Sequence, residues 1–188
     1  MAQNDDVKFS KIEEILQSKI KPKEKQIKLI EVVISGTIPT KEFITFFESA
    51  KDVYKGTCAD VMKHVSAQKP ELFAPFIDTL LEYINYQLPR VKWGIPEAIG
   101  NMARDYPDKV SKAIPYLLKN TTDEKINTTV IKWCAAFALM EITKYNPKTR
   151  KQLLPIFEKI IKNERNNGVK NVYIKALKVI KDEKSTTA

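Results

Sequence analysis

Apolar residues in this chain recur three and four positions apart, in paired blocks punctuated by prolines. Phe9, Ile12, Ile15 and Leu16 mark one stripe over residues 8 to 18, and Ile27, Ile30, Val33 and Ile34 mark another after Lys21-Pro22. That spacing is the period of an amphipathic helix, so the pattern predicts a helical hairpin. Gly36 stands where a helix-ending glycine is expected, with Pro39 just beyond. Thr40 is expected to cap a short helix through about Ser49, and a further helix is predicted from Lys51 to about Ser66. Over Asn166 to Lys181, Val169, Val172, Tyr173, Ala176, Leu177 and Ile180 form one continuous stripe for burial.

The prolines carry a longer period. Pro75, Pro115 and Pro155 recur at intervals of 40 residues, in Ala-Pro-Phe, Ile-Pro-Tyr and Leu-Pro-Ile settings. Val91-Lys92-Trp93 returns 40 residues later as Ile131-Lys132-Trp133, and Tyr106-Pro107 returns as Asn146-Pro147. A repeat of this length with two amphipathic helices per copy predicts a stacked helical solenoid. Pro70, Pro107 and Pro147 fit the first turn of helix A in three copies, where a missing N–H costs nothing. The prolines at 75, 115 and 155 then fall inside helix A and are expected to kink it. Helix B is expected over Arg90 to Asp105, Lys125 to Tyr145 and Asn166 to Lys181.

Composition agrees with one all-α domain over residues 1–188, with 1–6 and 183–188 expected to fray: 43% of residues are hydrophobic, 29% charged and only 5 are glycine. No run of about 18 apolar residues suggests a membrane span. Met1 to Asp6 lacks a basic segment leading into an apolar one, so no secretory signal is expected. Cys58 and Cys134 lie in different helical stripes and read as buried thiols in a cytoplasmic, reducing setting. Net charge is +9, and from Pro147 onward 11 Lys and Arg face 4 Asp and Glu. A basic end of this kind attracts an acidic protein segment, nucleic acid or anionic lipid, and charge alone does not choose.

The repeats resemble a known family. Helix A with its internal proline, followed by helix B opening on Val91-Lys92-Trp93 with Ala98-Ile99, Ile131-Lys132-Trp133 with Ala138-Leu139, and Val169-Lys170-Asn171 with Ala176-Leu177, resembles the HEAT repeat. The resemblance implies a right-handed, armadillo-like α-α superhelix of about five antiparallel helical pairs. It also implies a concave surface built from the B helices, of the kind that holds protein partners.

Aligned copies place Lys55, Lys92, Lys132 and Lys170 at one position near the start of helix B, where their ammonium groups are expected to form a file along the inner surface. Solvated or structurally paired lysines are the plainer alternative. Trp93 and Trp133 are likewise equivalent, and each reads either as a stacking platform beside a lysine or as a packing residue. Pro96 should distort helix B next to Trp93. Trp93-x-x-x-Glu97, followed by Lys132 one copy later, is similar to the Trp-x-x-x-Asp and Arg arrangement of the HEAT-like alkyl-purine DNA glycosylases, with Glu and Lys replacing Asp and Arg. That likeness implies a carboxylate supporting charge on a sugar as a damaged base leaves. His64 reads as a surface residue, and no HExxH, CxxC or glycine-rich phosphate loop occurs. No cofactor is expected. The preferred expectation is a non-enzymatic module that holds an acidic protein or peptide, and the alternative is a nucleic-acid-binding protein or a relative of those glycosylases.

Overall fold

The computed structural model describes residues 11–123 and 128–186, with side chains described through Lys181. These residues form helices and connecting turns, with no strand among them. The first helix, α1, covers residues 11–17. It is followed by α2 (Pro22–Ile34), α3 (Thr40–Ser49) and α4 (Asp52–Ser66).

Local chemistry sets these boundaries. Pro22 opens α2, where its missing N–H leaves no bond unmade. Gly36, at φ +74°, ends the helix as the sequence predicts, and its N–H donates to the Val33 carbonyl at 3.1 Å. The expected cap at Thr40 is corrected: Thr40 is the first residue of α3, Pro39 precedes it in extended conformation, and no side chain caps the helix. The Pro39 carbonyl instead receives the Phe43 N–H at 3.0 Å.

Helix A takes two forms. In the first repeat it is broken into 3-10 turns at Pro70–Leu72 and Ala74–Phe76 followed by α5 (Ile77–Tyr83). The second repeat is similar, with α7 (Pro107–Val110), a 3-10 turn at Ser111–Ala113 and α8 (Ile114–Thr122). In the third, α10 (Pro147–Asn163) is continuous with Pro155 inside it. The second and third copies have the same proline spacing, so the prolines alone do not break the helix. Their caps differ. Asn146 accepts the Lys148 N–H at 3.2 Å and donates to the Pro107 carbonyl at 3.2 Å, whereas Tyr106 offers α7 no side-chain cap.

Helix B is α4, then α6 (Pro89–Asn101), α9 (Thr129–Tyr145) and α11 (Asn167–Thr186). Lys125, the expected start of one copy, lies outside the described residues, as do residues 1–6. The helix α11 continues to Thr186, past the Glu183 at which fraying was expected.

Packing follows chain order. The pairs α3 and α4, α5 and α6, α8 and α9, and α10 and α11 are in contact, and α2 meets α4, α4 meets α6, α6 meets α9 and α9 meets α11. Gly94 makes the α4–α6 contact possible, since a Cβ there would lie 2.7 Å from the Ala59 carbonyl oxygen. Buried apolar side chains run through a single cluster from Ile12 to Ala176, with Phe43, Phe47, Phe73, Leu80, Ile95, Phe157 and Tyr173 among the largest. No helix among the described residues is long and apolar enough to cross a membrane.

Candidate binding site

Each B helix presents an outward stripe at the spacing of one helical face. On α4 it carries Val53, Asp60 and His64; on α6 Arg90, Trp93, Glu97 and Asn101; on α9 Val130, Trp133, Phe137 and Glu141. Polar links tie the stripes together across three helices. Arg90 pairs with Asp60, Lys63 pairs with Glu97 at 3.7 Å, and the Cys134 thiol donates to Glu97 Oε1 at 3.2 Å. Asn101 Nδ2 donates to the Lys63 carbonyl at 2.9 Å.

The two tryptophans, equivalent in sequence, have different surroundings. Trp133 stays 39% exposed and stacks on Phe137, with ring centroids 5.8 Å apart and planes 6° from parallel. Val130, one turn before it, is 46% exposed. Trp93 is half-buried, and its indole N–H is buried without a hydrogen-bond partner. The residue after each explains the difference: Gly94 lets α6 settle onto Ala59 of α4, whereas Cys134 fills the matching place on α9 and reaches Glu97.

The exposed file of lysines is not formed. Lys55 and Lys92 are buried, the Lys132 side chain is only 15% exposed, and Lys170 is half-buried. A lysine one residue before the outward tryptophan is turned about 100° around the helix, away from the open stripe. Lys55 shows where that direction leads. Its Nζ donates to the Phe47 and Glu48 carbonyls in the last turn of α3, at 2.5 and 2.8 Å, and sits over the rings of Phe47, Tyr83 and Tyr86. A cation there complements the negative end of the helix dipole. Burial lowers the Lys55 pKa, with Asp52, Cys58 and Glu48 pulling the other way.

Lys132 instead pairs with Glu164 at 3.5 Å in the wall of a cleft of about 530 Å³ between the end of α8, the start of α9 and α10. Thr121, Ile156, Lys159 and Ile160 also line it. Behind Thr121 and Glu164 lies the buried Tyr173 hydroxyl, whose pKa is raised chiefly by burial, with Thr121 lowering it and Glu164 raising it.

Glu97 and Lys132 therefore engage different partners. The carboxylate is held by Lys63 and Cys134 and the ammonium by Glu164. His64 is exposed, and both cysteines are free and buried. Burial pushes the Cys58 thiol up to about 12, and burial together with Glu97 raises that of Cys134. Among the described residues no cluster of three or more ligating side chains is placed to hold a metal ion.

Phe137, Val130 and Glu164 were not singled out from the sequence. Val130, Trp133 and Phe137 do carry a helical-face spacing, but α9 is apolar on nearly every side, so periodicity does not say which face is outward. Comparison of the chain with family models, curated proteins and solved structures found no match.

Proposed function

We propose that this chain is a HEAT-like binding module: a right-handed superhelix of about five helical pairs that performs no catalysis and holds a protein partner on its B-helix face. The observation that carries this reading is the exposed Trp133, stacked on the half-buried Phe137, with Val130 beside it on α9. An exposed tryptophan supported by a second ring is the kind of anchor that dominates protein interfaces. The support beneath it is rigid, because Glu97 is fixed from α4 by Lys63 and from α9 by Cys134. The partner segment presents apolar side chains to this stack and acidic ones to Lys175 and Lys178, which are exposed on α11, the helix packed against α9.

A photo-crosslinking residue in place of Val130 tests the reading, with captured partners compared between the parent and Trp133→Ala or Phe137→Ala forms. The reading expects crosslinks to a protein that disappear in the two variants while both keep a cooperative melting transition. Crosslinks that survive both variants overturn it. The α11 lysines also suit nucleic acid. Duplex DNA affinity that falls steeply with log salt and depends on Trp133 selects that second reading.

A further inference from the structure

Lys132 and Lys55 occupy the same repeat position, but their ammonium groups have different company. Lys55 donates to two carbonyls at the end of α3. Among the described residues no carbonyl at the end of α8 receives Lys132. Lys132 is left with Glu164 at 3.5 Å, and among the described residues its Nζ makes no hydrogen bond. Glu164 is itself fixed, accepting the Asn166 N–H on Oε1 at 2.8 Å. The result is a largely buried side chain whose ammonium reaches the cleft with Glu164 as its ion-pair partner among the described residues.

The opposite wall is apolar, formed by Ile156 and Ile160 of α10, and Lys159 stands exposed at its edge. A volume near 530 Å³ lies in the range of small-ligand sites. We propose that this cleft binds a monovalent carboxylate carried on an apolar body, with the carboxylate accepting from Lys132 and the body lying on Ile156 and Ile160. A cationic ligand would meet two lysines against one carboxylate. A dianionic phosphate would bring surplus charge against Glu164. An uncharged apolar ligand would shut the Lys132 donors away from water with nothing to receive them. The carboxylate can come from a small carboxylic acid or from the last residue of a peptide. Either binds away from the Trp133–Phe137 stack, so the inference does not rest on the proposed function.

The test uses octanoate and N-acetyl-alanyl-leucine, each beside its neutral amide, with calorimetry and NMR of labelled isoleucine methyl groups. Expected is binding of at least one acid, with shifts at the Ile156 and Ile160 methyls and an affinity about tenfold or more above that of its amide. Octanoate alone binding points to a small-molecule ligand, and the peptide alone points to a chain terminus. Lys132→Met should abolish the preference for acid over amide. Because that variant leaves Glu164 without its partner, Lys132→Met/Glu164→Gln serves as the folded control, checked by its melting temperature. No binding by either acid, equal affinity for acid and amide, shifts confined to other methyls, or an acid preference that survives the double variant overturns the proposal.

Discussion

Replacing Gly94 with alanine sets two opposing effects against each other, and the sign of the outcome tests the packing of the B helices. In a helix interior, glycine to alanine stabilises by about 1 kcal/mol. At Gly94 the new Cβ would lie 2.7 Å from the Ala59 carbonyl oxygen, 2.8 Å from its carbonyl carbon and 3.0 Å from its Cβ. Two of these are backbone atoms of α4, which cannot swing aside. Reaching ordinary contact near 3.4 Å requires α4 and α6 to part locally by about 0.7 Å. Overpacking of that kind costs about 1–3 kcal/mol, so a net loss of up to about 2 kcal/mol is expected. For a chain of this size that is a fall of up to about 8 °C in melting temperature. Gly56 is the internal control. Its added Cβ would lie 3.1 Å from Arg90 Cβ and 3.2 Å from Arg90 Cδ, which asks for a shift of a few tenths of an ångström where Gly94 asks for about 0.7 Å. Gly56→Ala should therefore be neutral or raise the melting temperature by a few degrees. Thermal melts followed by circular dichroism decide the matter. A rise for Gly94→Ala, or equal shifts for the two variants, would refute the close approach of α4 and α6.

The two tryptophans should separate in urea denaturation. Trp93→Ala should cost about 3 kcal/mol because it empties a half-buried site, whereas Trp133→Ala should cost about 1 kcal/mol; equal losses would contradict their different surroundings. Stability should also fall at alkaline pH through Cys58. Its thiol is raised from 9.0 to about 12 in the fold, so its contribution is complete below pH 9 and is lost as pH climbs from 9 toward 12. Cys58→Ala should flatten that limb of the stability curve, and an unchanged slope would mean that the thiol is not buried.

Elements whose limits are set by local chemistry were legible in the sequence. Pro22, Pro107 and Pro147 each open a helix, Gly36 closes one in the left-handed region, and the Val169-to-Ile180 stripe of α11 is buried at Val169, Val172, Tyr173, Ala176 and Ile180. The form of helix A was not legible. Pro115 and Pro155 stand eight residues after their opening prolines, but one helix is broken and the other continuous, and the continuous one has the contacts of Asn146 with Lys148 and Pro107 at its start. Half of that arrangement crosses 39 residues of sequence, which a local reading of residue types does not reach.

The lysine position shows why the site was harder to read than the fold. A repeat copies a residue's place on its helix, but its surroundings come from the end of the neighbouring helix A, and those ends have diverged. Where the carbonyls of α3 are open, Lys55 closes them and becomes part of the scaffold. At α8 the equivalent Lys132 has no such carbonyl partner among the described residues and pairs with Glu164 instead. The tryptophans divide in the same way, Trp93 drawn inward beside Gly94 and Trp133 held outward beside Cys134. On the two proposals, binding sits where equivalent residues have come to different surroundings. Trp133 and Lys132 are adjacent on α9 but face different sides of it, so the proposed protein-binding face and the proposed ligand cleft would use separate side chains of one helix.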